Sequence, residues 1–127
     1  MAQNITPIFP YSGVDGGASI ASILGEHDGA NGTTVLTAGA NGAQWTRIFF
    51  NAITATGGGK ICAFIYNGST YTLVGWVDIP NDWAAGSPSL SIANPDPNVI
   101  LKAARIIKCG KIGQAGTIDA HACANDY

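Results

Sequence analysis

The stretch from Lys60 to Pro80, KICAFIYNGSTYTLVGWVDIP, leaves a chain of this kind little choice of architecture. Two alternating runs flank Asn67-Gly68-Ser69-Thr70. Asn-Gly supplies the positive φ that a tight turn needs, so the spacing predicts an antiparallel β-hairpin. In the first run Ile61, Ala63 and Ile65 share one face, and Cys62, Phe64 and Tyr66 the other. In the second, Leu73, Val77 and Ile79 fall on one register and Val74, Trp76 and Asp78 on the other. Apolar residues on both faces imply that both sides are covered, by a second sheet or by another subunit.

The rest of the chain repeats that rhythm. Turn signals recur roughly every ten residues with short β-type runs between them, the spacing of an all-β sandwich or barrel. Strands are predicted over 33–37, Gln44–Ala52, Ser89–Ala93, Asn98–Ala104, 105–108 and 115–124. Residues 4–11 are extended and fixed by Pro7 and Pro10, as an edge strand or an arm. The Gly-rich segment 12–32 carries an apolar cluster, Ile20, Ile23 and Leu24, that a turn of helix capped near Asp15 would gather. The domain reading is an extended arm over 1–14 and one β-sandwich, jelly-roll-like, over 15–127.

A chain of 127 residues is one domain, long enough to bury a real core. Charged residues are 11% of it, well below the ~25% of ordinary soluble domains, which suits a surface largely occupied by neighbours. The net charge of −2 argues against nucleic acid as a partner, because phosphate neutralisation needs clustered Lys and Arg. The N-terminal residues lack a basic n-region and an apolar run, and no stretch approaches the ~20 apolar residues of a membrane helix. Synthesis in the cytoplasm, with no membrane partner, is the expectation. Cys62, Cys109 and Cys123 are odd in number and widely spaced, which fits buried reduced thiols.

The small-residue stretch Thr37-Ala38-Gly39-Ala40-Asn41-Gly42 resembles a phosphate-cradling loop only superficially. It lacks Gly-x-Gly-x-x-Gly, no Lys-Ser or Lys-Thr comes after it, and the next element is a strand rather than a helix N-terminus. It reads as a bend between strands.

That same stretch carries a family resemblance. TTVLTAGANGAQWTRIFFNA, then CAFIYNGSTYTLVGWVDIP, and the closing AHACANDY resemble a family of small tailed-bacteriophage structural proteins. In that family a TLFTAGANGS-x-x-x-RI segment precedes a hairpin strand ending in Asn-Gly or Asp-Gly. The next strand closes in Ile-Pro or Leu-Pro. The resemblance covers residues 33–80, with a weaker echo over 115–127, where Ala124-Asn125-Asp126-Tyr127 replaces the family's Gly-Gly-Asp-Tyr. It implies a virion component with a β-sandwich fold and no enzymatic activity or cofactor.

Candidate chemistry is sparse. Asp119, His121 and Cys123 alternate along the last strand, at roughly 7 Å intervals on one face, but lack the close ligand pair typical of metal sites. No metal is assigned. His27-Asp28 lies in a Gly-rich loop and reads as a solvated turn. Asp78 and Asp82 near Trp76 and Trp83 are the one approach to a glycosidase-like carboxylate pair, and no catalytic residue is assigned there either. Four of the six basic residues, Lys102, Arg105, Lys108 and Lys111, fall together. They read either as a lysine-protected edge or as a face that docks on an acidic partner.

With the virion component that the resemblance implies, the expectation is a phage head decoration (cement) protein that binds the major capsid protein and stabilises the head, with self-association as a homotrimer. The expected contacts are the arm (Ile5, Ile8, Phe9, Tyr11), added as a strand to a neighbour, and Trp76 and Trp83 on the sandwich. The alternatives are a tail, neck or fibre component of the same virion, or a carbohydrate-binding module.

Overall fold

The structure is a computed structural model that describes residues 12–95 and 101–126. The arm residues Ile5, Ile8, Phe9 and Tyr11 lie outside the described residues. Eight strands succeed one another: β1 (Ser12–Ser19), β2 (Thr33–Thr37), β3 (Ala43–Ala52), β4 (Lys60–Tyr66), β5 (Tyr71–Asp78), β6 (Leu90–Ala93), β7 (Ile106–Ile112) and β8 (Ile118–Asp126). They form two four-stranded antiparallel sheets, β1-β8-β3-β6 (sheet A) and β2-β7-β4-β5 (sheet B). The chain is thus an all-β sandwich. Among the described residues there is no α-helix, and no helix is long and apolar enough to cross a membrane.

The core lies between the sheets. Sheet A contributes Trp45, Ile48 and Phe50 from β3 and Ile118, Ala120, Ala122 and Ala124 from β8. Each large residue of β3 is paired with an alanine of β8: Phe50 with Ala120, Ile48 with Ala122, Trp45 with Ala124. Alternating large and small side chains across neighbouring strands lets the layer fill without voids. Sheet B answers with Leu36, Ile61, Ala63, Ile107 and Cys109.

The hairpin forms as its sequence predicts, with one correction. A bulge between Ala63 and Phe64 leaves Val74 opposite no single partner. An extra residue reverses the facing of everything beyond it. Leu73 therefore joins Phe64 and Cys62 on the outer face, while Val74 packs with Val77 against the core, the reverse of the alternation expected for Leu73 and Val74.

Three further expectations change. Residues 12–14, read as arm, belong to β1, whose Gly-rich sequence hides a strand paired along its length with β8. A Cβ at Gly16 would run into the carbonyl of Val35, so glycine permits the close approach of β1 to β2. Ile20, Ile23 and Leu24 do not gather on a helical turn. Ile20 N–H donates to Ile118 O (2.9 Å) at the edge of sheet A, and Ile23 N–H donates to Lys111 O (3.0 Å) in sheet B, so the chain passes from one sheet to the other. Finally, residues 102–105 form a turn, closed by Arg105 N–H donating to Lys102 O (3.1 Å), where a strand was expected.

The outer face of sheet B is covered from within the chain. Ile23 packs with Cys62 and Phe64, beside Tyr71, Leu73 and Ile112. Asp28 organises this cover through Leu24 N–H (3.2 Å) and Asn31 Nδ2 (2.7 Å), and Glu26 pairs with Lys60.

Candidate functional site

The four clustered basic residues go to different places. Lys111 is 5% exposed. It alternates with Ile107 and Cys109 on the inward side of β7, and its ammonium donates to Ser22 Oγ (2.9 Å) and Gln114 O (3.0 Å). Burial lowers its pKa below the ordinary lysine value. Lys111 therefore belongs to a structural knot and not to a docking face, a correction to its grouping with the other three. Gln114 completes that knot, with Nε2 donating to Thr56 O and Gly58 O and Oε1 accepting from Gly116 N–H.

Lys108, three positions earlier, faces the other way. Its ammonium lies 5.0 Å from the Tyr71 ring centroid and donates to Ala30 O (3.1 Å), a cation–π contact that pins the cover segment. Tyr71 stacks on Tyr66 with centroids 4.7 Å apart.

Lys102 and Arg105 are the two cations left at the surface. They line a cleft of about 330 Å³ with Ile65, Tyr66, Asn67, Ser69 and Leu101. The hairpin turn forms one wall: Asn67 Oδ1 accepts from Ser69 N–H (3.1 Å) and Thr70 N–H (2.9 Å), and Tyr66 Oη donates to Gly68 O (2.8 Å). The other wall is the 102–105 turn, and the TAGANG stretch holds it. Ala38 N–H donates to Arg105 O (2.9 Å), Ala104 N–H to Gly39 O (3.3 Å), and Ala43 and Leu101 exchange both backbone bonds (2.9 and 2.8 Å). Gly42 has φ +85°, and a Cβ there would meet Leu101 O. The bend positions a basic loop.

The two tryptophans expected at an interface also part. Trp83 is 3% exposed, with its indole N–H donating to Pro88 O (2.9 Å). It is core, held by the loop that closes the sandwich, and has no surface to offer a partner. Trp76 is 59% exposed on the outer side of β5, an edge strand of sheet B. Leu24, in the segment laid over that same sheet, is 96% exposed.

On sheet A the outer side of β8 carries Asp119, His121 and Cys123 as the alternation predicts. Ser19 Oγ donates to Asp119 Oδ1 (2.9 Å), and Asn51 lines the same shallow depression. Among the described residues no group of three or more His, Cys, Asp or Glu is placed to hold a metal ion. Cys62 and Cys109 are buried free thiols, and Cys123 is half-buried.

Compared with protein-family models, with curated proteins and with solved structures, the chain matches none.

Proposed function

We propose that the protein is a bacteriophage capsid decoration (cement) protein, which binds the outer surface of the major capsid protein and stabilises the head without catalysis. The observation that carries this reading is Trp76. A large aromatic 59% exposed on an open sheet edge, in a chain whose other tryptophans are 1% and 3% exposed, is the kind of anchor that dominates interface energetics. The β2–β5 region, residues 33–78, is also the region of the phage-family resemblance. The strand order β1-β8-β3-β6 against β2-β7-β4-β5 supports the finer description of the sandwich as a jelly-roll, a fold frequent in capsid proteins. Homotrimer formation, and strand addition by the arm residues Ile5, Ile8, Phe9 and Tyr11, belong to the same proposal.

Quantitative mass spectrometry of purified virions tests it. A copy number comparable with the major capsid protein is expected, and absence from the virion overturns the reading. Trp76→Ala should weaken attachment to capsids at least tenfold without altering the fold.

The same exposed indole favours one second reading, a carbohydrate-binding module. Trp45 and Trp83 are buried, so glycan quenching of tryptophan fluorescence would report Trp76, and such quenching would favour that reading.

A further inference from the structure

We infer that the cleft between the hairpin turn and the 102–105 turn is a binding site for an acidic peptide segment, one that presents a carboxylate beside an aliphatic side chain. The site rests on the docking reading above and deepens it by naming the chemistry of the partner.

The cleft holds Lys102 and Arg105, and neither has a carboxylate partner among the described residues, whose one ion pair is Lys60–Glu26. A guanidinium presents a planar fork that matches a carboxylate in bidentate fashion. The fork lies against the hairpin turn. Arg105 lies so close to the turn that a Cβ at Gly68 would strike its guanidinium, and its backbone is tied to Ala38 (2.9 Å). Half-buried Ile65 supplies apolar surface to the lining, and Asn67 and Ser69 polar groups, while Leu101 is core and backs the cleft from within. A volume of about 330 Å³ sits at the small end of the range for ligand sites and suits a few side chains rather than a folded surface.

The aromatic chemistry disfavours a single-stranded nucleic acid. Base stacking needs free ring faces. Here Tyr66 stacks on Tyr71 at 4.7 Å and Lys108 lies over Tyr71, so Tyr71 is engaged by the chain's own groups and Tyr66 has at most one face to offer.

The test is titration of the ¹⁵N-labelled full chain with acetyl-Asp-Leu-Asp-amide, with acetyl-Asn-Leu-Asn-amide, inorganic phosphate and oligo-dT as comparisons. Saturable shifts at Asn67–Ser69 and Lys102–Arg105 are expected for the acidic peptide alone, weakening as salt rises. The double substitution Lys102→Gln and Arg105→Gln should weaken binding at least tenfold. Equal shifts with the Asn peptide, equal or tighter binding of phosphate or oligo-dT, or shifts elsewhere on the surface would each overturn the site. These comparisons use the unaltered protein, so they hold even if the double variant folds poorly. Virion copy number tests the head reading separately, so either can fail while the other stands.

Discussion

Arg105 immediately precedes β7 and Lys111 is its penultimate residue, yet the two ends of that strand treat positive charge in opposite ways. At one end the Lys111 ammonium is buried, donates to Ser22 and Gln114, and its pKa falls with desolvation. At the other, Lys102 and Arg105 stand in an open cleft with no ion-pair partner among the described residues. A buried charge must be satisfied by its own chain, because an unpaired one costs several kcal/mol. A charge kept in water costs little and stays available. The closed end stabilises the fold, and the open end is free to bind.

The sharpest way to break that contrast is to truncate both ends. Lys111→Ala leaves the Gln114 carbonyl and the Ser22 hydroxyl without their donor, at an expected cost of about 3 kcal/mol in urea unfolding. Lys102→Ala should stay within about 0.5 kcal/mol of the parent. Equal effects would erase the distinction. Next in size is Gly42→Ala. It forces a side chain into φ +85° against Leu101 O and should cost about 2 kcal/mol, a fall in Tm of roughly 6–10 °C.

The middle of β7 offers a pH test. Burial pushes the Cys109 thiol well above its ordinary pKa, so the folded chain keeps a proton that the unfolded chain releases. Stability should therefore fall as pH rises above about 9, by up to about 1.4 kcal/mol per pH unit for this thiol. Stability curves from pH 8 to 10.5 check it, and Cys109→Ala should flatten the slope. The smallest effect is expected in the basic loop itself. Ala104 sits at φ 60°, a left-handed conformation that costs a non-glycine residue about 1 kcal/mol. Ala104→Gly should raise stability by about 0.5–1 kcal/mol in the same unfolding assay.

What the sequence disclosed depended on how local the determining physics was. The β4–β5 hairpin is written in its alternation and its Asn-Gly turn, and the inward alanines of β8 in their period of two. β1 was not legible, because Ser-Gly-Val-Asp-Gly-Gly-Ala-Ser has almost no β-forming residues. It is a strand because β8 pairs with it and because Gly16 lets it approach Val35. The Val74 bulge is likewise a property of the pairing, not of the strand that contains it. The fate of the lysines was half-legible. Positions 108 and 111 differ by an odd number, so one strand must place them on opposite faces. Had β7 been traced to Ile112, Lys111 would have been expected inside with Ile107 and Cys109. Trp83 gave no such signal, since a loop tryptophan is drawn inward by the loop's closure and its Pro88 acceptor, neither of which has a period.

The strand order has a consequence for how the chain comes to be folded. The two strands that arrive last, β7 and β8, lie inside their sheets rather than at the edges. Until they are available, β1 and β2 lack the strands they pair with among the described residues, which before β7 pair only as the β4–β5 hairpin and the β3–β6 pair. Closure of both sheets must then span most of the chain, the kind of non-local step that makes β-sandwiches fold in milliseconds to seconds. During synthesis the core-facing side chains of β3 and β4 wait exposed for partners encoded after them, so assembly of the sandwich is late and nearly all at once.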